Sequence, residues 1–479
     1  MAVVLAIDFG TSGCRSALYD EQLSMLDCAT EEYPIICVSD KEIEQDADVW
    51  WEKAKKTIKE VVGRYSKPEE ISAISLSSQG IGLVPIDENG RTLSNSISWL
   101  DTRCVEETKY IENTFGKSDI YRITGKRISP LYSLPKLMWI KKHCSEIYSK
   151  AWKFLLPMDF IQYRLSGKCI TDYTMASGTM YYDVASQSWS EKLLKENGLS
   201  SDKLSEIMWA GEPIGTIIPE VADELGLSSK VLIVNGAQDQ KCAAHGAGVS
   251  DKCAAVSLGT GSVISQISNH SMVDSEMRIP FFSYIEPNTW NLEGVINTSG
   301  SAYSWFSKEF GAGMSYDEIN EAASSIILPN QTMFYPYLSG PSSPFWNEGS
   351  GTFTGISLMT TKGNLARAIM EGIAYSIREN LDAMEKISNK VTELHVYGGG
   401  SKSSLWCQII ADVNNTDVVC LSSSETALAG AARLAYKALG IKTSPLSESK
   451  RYKPDKKSVE MYQKSYEKYE ELRIRFFAS

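Results

Sequence analysis

The chain has 479 residues, 43% hydrophobic and 22% charged, with 34 Gly and 16 Pro, a balance that excludes a disordered or collagen-like chain. Its 48 Lys plus Arg against 59 Asp plus Glu leave a net charge of -11 with no basic stripe, which argues against a nucleic-acid partner. At about 150 residues per domain the length predicts two to three domains.

The first apolar run, residues 2–7, is interrupted by Asp8. It falls far short of the roughly 20 residues that span a membrane, and no Arg- or Lys-headed secretory signal precedes it. A cytoplasmic protein with no membrane partner is expected. The ten cysteines form no CxxC pair, so reduced thiols are expected rather than a disulfide framework or a zinc site. The four histidines show no metal-ligand spacing.

In chain order, residues 2–7 read as a buried strand, 8–13 (DFGTSG) as a tight turn and 15–20 as the returning strand of a hairpin. A helix is predicted at about 46–63, with Asp46 or Asp48 as its start and Gly63 just past its end. A strand at 71–77 follows. Val231-Leu232-Ile233-Val234 is a further strand that runs into Asn235-Gly236-Ala237-Gln238-Asp239-Gln240 and then the small-residue segment 242–248. Residues 364–386 place Leu365, Ile369, Ile373, Ile377 and Leu381 on one helical face. A strand at 394–397 ends in Gly398-Gly399-Gly400. A helix at 403–413, a strand at 418–421 and an Ala- and Gly-rich helix at 426–439 come next. A charged helix from about 457 to 475 carries a docking stripe of Val459, Tyr462, Tyr466, Tyr469 and Leu472. Alternating strands and helices predict α/β layers.

One unit occurs twice. Residues 7–13 read IDFGTSG and residues 256–262 read VSLGTGS, each between two apolar strands and about 249 residues apart. Two related domains are expected, with a boundary near 245–252. Gly-Thr turns leave backbone N–H groups free to face phosphate oxygens. The GxxxxGK[ST] loop is absent, and so is GxGxxG after the first strand, so any phosphate clamp is of another kind. Only the first copy carries an acid. Asp8 stands where the second has Ser257, and a carboxylate beside phosphates suits Mg²⁺; a turn-stabilising role is the alternative. Asp239, at a strand end beside a helix start, is placed to accept a proton from a hydroxyl or to cap the helix.

Together these motifs resemble the FGGY family of carbohydrate kinases, from about residue 3 to residue 440. Gly351-Thr352-Phe353-Thr354-Gly355-Ile356, Asn364-Leu365 and Ala368-Ile369-Met370-Glu371 fit that family's C-terminal signature. Ser133-Leu134-Pro135-Lys136-Leu137-Met138-Trp139-Ile140 fits most of its N-terminal signature, from which Leu131 departs. The resemblance implies two ribonuclease H-like domains of the actin and hexokinase type, 1–246 and 247–479, with ATP and sugar in the cleft between them. It implies phosphorylation of a sugar hydroxyl with Asp239 as general base and Asp8 beside Mg²⁺. Thr11 and Ser12 fall at phosphate-contacting positions. Gly259, Thr260, Gly300, Ser304, Gly400, Ser401 and Ser404 fall at ATP-contacting ones, with Ser304 and Ser404 standing where some relatives have amides.

Gln79, Gly80, Trp99, Asp239 and Gln240 fall in the region that reads the sugar. Gly80-Ile81 replaces the Arg-Glu usual in glycerol kinases and the Met-His usual in xylulose kinases. The run 97–103 (ISWLDTR) is nevertheless xylulose-kinase-like. A pentulose such as xylulose is the expected substrate, with another ketose, a polyol or a sugar acid (gluconate, erythritol or fuculose type) as alternatives. Trp99 stacks on a sugar or fills core, and Asp101 with Arg103 forms a structural ion pair or a binding one. A nucleotide-driven binding module on the actin plan is the non-enzymatic alternative, and a homodimer is a possible assembly.

Overall fold

The first apolar run forms the strand Val3–Phe9, buried at every position except the one that carries Asp8. It is apolar on both faces because it lies inside a sheet. It pairs parallel with Ile71–Ser78 on one side and antiparallel with Gly13–Tyr19 on the other. This computed structural model describes residues 2–271 and 274–477.

The chain divides into two units. In the first, the sheet runs in the order Pro213–Thr216, Leu232–Gln238, Ile71–Ser78, Val3–Phe9, Gly13–Tyr19, Met25–Glu32. In the second, the same plan recurs in reverse listing: Trp290–Ile296, Ser262–Ser268, Cys253–Ser257, Glu393–Tyr397, Asp417–Leu421, Glu448–Tyr452. Each has a hairpin, then two parallel strands beside it, then an antiparallel edge strand. The repeated turn motif thus marks a repeat of the whole sheet, and both units have the α/β fold of actin-like ATPases.

The first unit's continuous stretch ends at Gly246, close to the expected boundary, but two later segments, Phe281–Asn291 and Glu425–Leu446, pack with it. The second of these holds the helix Thr426–Ala438, which lies on the first unit's sheet. Its small residues explain how. A β-carbon on Gly430 would stand 1.9 Å from the Cys242 carbonyl oxygen, so the two helices cross backbone to backbone, which only glycine permits.

Asp46 caps the helix Ala47–Arg64 by accepting from the Asp48 and Val49 amides. The helix runs past Gly63, which meets nothing within 4 Å, and stops where Tyr65 turns extended. The helix Lys362–Glu385 was expected to bury one face; it is buried almost all round, as a central helix is. The last helix, Lys456–Phe477, buries Tyr462, Tyr466 and Tyr469 as the stripe predicts and adds Arg473. Among the described residues no helix is long and apolar enough to cross a membrane.

Candidate active site

The three parallel strands of the first unit end side by side. In register, Asp8 lies against Ser77, Phe9 against Ser78 and Gln238 against Ser78. Asp8, Gln79 and Asp239 therefore emerge together at the carboxyl end of the sheet, where open α/β sheets bind ligands.

The first hairpin closes through the Gly10 amide to the Gly13 carbonyl at 2.9 Å, and the Tyr33 hydroxyl donates to both of those residues' carbonyls. Thr11 is fixed twice: its carbonyl accepts from the Gln45 amide at 2.7 Å and its hydroxyl from the Trp99 indole at 2.9 Å. Trp99 is thus neither plain core nor a free stacking platform; it is tied to the turn. Ser12 is exposed.

The Asp8 carboxylate accepts from the Ser77 hydroxyl at 2.7 Å. Arg15 faces Asp8 in the hairpin register but pairs with Glu425 at 2.7 Å. Burial pushes the Asp8 carboxyl above the ordinary carboxylate range, opposed by the Ser77 hydrogen bond and the Arg15 charge. Among the described residues no Lys or Arg reaches it within ion-pair distance. A half-buried carboxylate with no cation in ion-pair contact, next to a turn of N–H groups, fits a hard divalent ion.

Asp239 opens the helix Asp239–Ala247. Its Oδ1 accepts from the Gln240 amide at 2.7 Å and from the Gln238 side-chain amide. The Gln238 backbone amide donates in turn to the Thr174 hydroxyl at 2.8 Å, which donates to Asp172 at 3.0 Å. The carboxylate is half-buried, and Gln240 beside it is too.

Gln79 is 3% exposed. Its amide nitrogen reaches Gln45 at 3.3 Å, and its oxygen has no hydrogen-bond partner, an orphaned acceptor at the mouth of the sheet. The next residues make an unusual turn. The Gly82 amide donates to the Gly80 carbonyl at 3.0 Å, across Ile81 at φ +60°. A β-branched residue there is strained, and such strain collects at ligand sites. Asp101, by contrast, is fully buried and accepts from Arg103 Nε at 2.8 Å and from the Ile43 amide at 2.7 Å. Of the two readings it had from sequence, the structural ion pair is the one observed.

The second unit holds a cavity of about 670 Å³. Gly259, Thr260, Gly300, Ser304 and Gly400 line it. Ser401 and Ser404 do not: the Ser401 hydroxyl donates to the Gly398 carbonyl at 2.7 Å, and Ser404 is met by Lys450 and Tyr452, each at 3.0 Å. Sequence reasoning missed Tyr303, Asn320, Ser403 and Trp406 on the same wall. The Tyr303 and Trp406 rings lie 5.6 Å apart, and the Tyr303 hydroxyl donates to Asn320 at 2.8 Å. Apolar ring faces beside glycine turns suit a flat base, and backbone N–H groups suit its phosphates.

Cys253, Glu393 and His395 do come within 4.8 Å of one another. Both His395 nitrogens are already engaged, by the Ala247 carbonyl at 2.5 Å and Glu393 at 2.7 Å, and Arg451 holds Glu393 at 2.5 Å. Glu393, His395 and Arg451 form an ion-pair network, with the Cys253 thiol beside it.

Comparison with known proteins matches these features to a family. Residues 3–246 match the N-terminal domain model of the FGGY family of carbohydrate kinases, and residues 254–439 its C-terminal domain model. The chain is 30% identical to a xylulose kinase from Escherichia coli over 98% of both chains. It is similar to the crystal structure of ligand-bound xylulose kinase from Lactobacillus acidophilus (TM-score 0.93, 26% identity, 99% of this chain and 98% of that one). It is equally similar to a gluconate kinase from the same species (TM-score 0.94, 26% identity, 100% of this chain and 99% of that one). The chain belongs to the FGGY family of carbohydrate kinases and catalyses ATP-dependent phosphorylation of a sugar.

Proposed function

We propose that this kinase phosphorylates a pentulose of the xylulose type, with Asp239 as general base. The observation that carries the assignment of the base is the position of Asp239. It stands at the end of a strand whose parallel neighbour runs out into Gln79, with the Asp8 strand next beyond that neighbour, and it is half-buried and held by two nitrogen donors on one oxygen. Gln238 and the Gln240 amide orient the carboxylate, which a proton acceptor requires. The sugar hydroxyl gives its proton to Asp239 as its oxygen bonds to the γ-phosphorus, and the bond from that phosphorus to the β,γ-bridging oxygen breaks to release ADP. Such transfers depend on positioning and charge neutralisation more than on covalent chemistry. Mg²⁺, when bound, offsets charge on the phosphate oxygens, and Asp8 would hold it, with Thr11 and Ser12 beside the phosphates. The second unit's cavity would hold the nucleotide, the base against Tyr303 and Trp406 and the phosphates toward Gly259, Thr260 and Gly300.

Support for a pentulose comes from the names of relatives similar along nearly the whole chain. The strained Gly80-Ile81 turn favours a second reading, because an apolar side chain stands where xylulose kinases usually carry an imidazole. A sugar acid such as gluconate is that reading, with a gluconate kinase among the similar folds. A panel of ketoses, polyols and sugar acids, scored by ADP release at fixed ATP, decides between them. Highest kcat/KM on xylulose or another pentulose is expected. Highest kcat/KM on gluconate overturns the pentulose reading, and ATP turnover indifferent to sugar overturns the acceptor site as described.

A further inference from the structure

The sequence scatters its cysteines, yet the fold brings two of them together. Cys407 lies on the helix Ser404–Asn414 and Cys420 on the strand Asp417–Leu421. The chain reverses between them through Asn415, which takes a left-handed conformation at φ +47°, and the two sulfurs end 3.5 Å apart. Both are free thiols. Cys407 is fully buried, while Cys420 is 6% exposed. Both sulfurs also face one acceptor, the Ser401 carbonyl, at 3.4 and 3.7 Å.

That carbonyl belongs to the short helical turn Gly399–Lys402. The same turn supplies Gly399, Gly400 and Lys402 to the 670 Å³ cavity, and Ser403 and Trp406 follow it on the cavity wall. The Gly400 amide pins the turn by donating to the Leu258 carbonyl at 2.9 Å. The thiols therefore bracket the back of a turn whose front lines the cavity.

We propose that Cys407 and Cys420 are a redox-sensitive pair, which a peroxide converts to a disulfide that shifts the Gly399–Lys402 turn and remodels the cavity beside it. A disulfide needs sulfurs about 2.05 Å apart, so the pair must close by about 1.5 Å (3.5 minus 2.05). In the first step the Cys420 sulfur attacks one peroxide oxygen and the O–O bond breaks. This gives a sulfenic acid at Cys420 and hydroxide, which takes up the thiol's proton as water. In the second, the Cys407 sulfur attacks the sulfenic sulfur, and the departing hydroxide leaves as a second water with the Cys407 proton. The peroxide is reduced, and two thiols are oxidised to one disulfide. Cys420 is the first to react because it is the less buried of the two and because a hydrogen bond from Cys407 holds its thiol below the usual range. The disulfide has no S–H, so the Ser401 carbonyl loses the thiol donor that faces it.

The effect on nucleotide affinity rests on reading the cavity as the ATP site; the pairing chemistry does not. The test treats the whole protein with hydrogen peroxide, blocks remaining thiols and maps peptides by mass, with amide hydrogen exchange over residues 398–406 as the structural readout. A peptide pair linked through Cys407 and Cys420, reversed by dithiothreitol, is expected. Exchange in 398–406 should speed up about tenfold in the linked form, as local opening does, and ADP affinity should fall about fivefold. Cys420→Ser should abolish the link and the exchange response together. Absence of the link in the wild-type protein, or a link that leaves exchange in 398–406 unchanged, overturns the inference. If neither redox form binds ADP, the nucleotide reading fails, and the link and the exchange still decide the pair.

Discussion

Gly300→Ala tests the second unit's cavity with one methyl group. Gly300 opens the helix Gly300–Phe310, and its amide donates to the Gly259 carbonyl at 2.8 Å. A β-carbon at 300 would stand 2.4 Å from that same oxygen. Ordinary contact begins at 3.4 Å, so helix and hairpin must part by about 1 Å (3.4 minus 2.4). Helix propensity alone makes Gly→Ala favourable by at most ~1 kcal/mol. Against it stand ~1–3 kcal/mol for forcing an atom between two backbones and ~1 kcal/mol for the stretched hydrogen bond. The net expectation is a loss of about 2 kcal/mol in stability. Gly259 and Gly300 both line the cavity, so ADP affinity should drop about tenfold or more. Thermal unfolding and calorimetric titration with ADP measure the two effects. Gly399→Ala is the stability control, because a β-carbon there meets nothing within 4 Å, and its melting temperature should stay near that of the wild type. A Gly300→Ala protein that melts as high as the wild type and binds ADP equally well refutes the reasoning, since propensity would then have outweighed the backbone contact.

Asp239→Asn should lower kcat by about 10²-fold or more while melting temperature and ADP binding hold, the range usual for an acid–base group; turnover within a few-fold of normal removes Asp239 from the role. Asp8→Asn should lose about 10²-fold in turnover, as expected when charge stabilisation at the phosphates is removed, yet melt higher at pH 7. Burial raises the folded-state value of this carboxyl, so its cost to stability appears as pH climbs above the unfolded value and vanishes in acid. The gap between mutant and wild-type melting temperatures should therefore close toward pH 4, and a gap constant with pH contradicts this. Lys136→Met should be most stabilising at and below neutrality. Burial pushes the Lys136 ammonium down to about 7, so the folded state gains relative stability as pH rises from there toward the unfolded value, and melts at pH 7 and pH 10 should show the larger benefit at pH 7.

Much of the fold is legible in sequence because its strands are short apolar runs ended by glycine turns. The two hairpins and the late helices appear within a residue or two of their expected places, and the strand before Asp239 starts within a residue of its expected place but runs four residues further, to Gln238. Less legible is anything set by long-range contact. Nothing in the local pattern says that Thr426–Ala438 returns to the first unit's sheet, although its glycine and alanines are what let it pack there. The site divides the same way. Asp8 and Asp239 are visible as acids at strand ends, because strand and turn patterns are local. Tyr303 and Trp406 are not, because an aromatic residue on an amphipathic helix reads as core until the neighbouring turn is seen to leave its face open. Ser404 shows long-range contact acting on a residue picked from its local position. It occupies the expected position, but Lys450 and Tyr452 from a strand about 50 residues later hold its hydroxyl; that strand, charged at three of its five positions and exposed at four, has no periodic signal of its own.

The two hairpins show how one backbone plan takes on two chemistries. In both, a strand enters, turns through Gly-Thr and returns antiparallel while a parallel strand flanks it. At the last position before the turn, the first copy carries Asp8, whose carboxylate reaches sideways to Ser77 on the parallel neighbour. The second carries Ser257, whose hydroxyl folds back onto its own hairpin and accepts from the Val263 amide at 2.8 Å. The residue opposite changes in step: Arg15 faces Asp8 in the register, while Val263 stands opposite Ser257. The first turn therefore carries charge with a partner directed elsewhere, to Glu425, and the second is neutral and internally satisfied. A half-buried carboxylate without a cation of its own is costly and persists where an arriving ion offsets it. A neutral turn backed by glycine and aromatic rings has no such cost and suits a ligand bound through backbone amides and a flat face. On that physical ground we propose that the metal and the proton acceptor belong to the first unit and the nucleotide to the second. Exchanging the two turn residues, Asp8→Ser with Ser257→Asp, should abolish turnover without moving metal affinity to the second unit, because the parallel neighbour of Ser257 is the bulky Tyr397, where Asp8 has the small Ser77. Tight Mg²⁺ binding by the double variant, read by calorimetry, would contradict the argument.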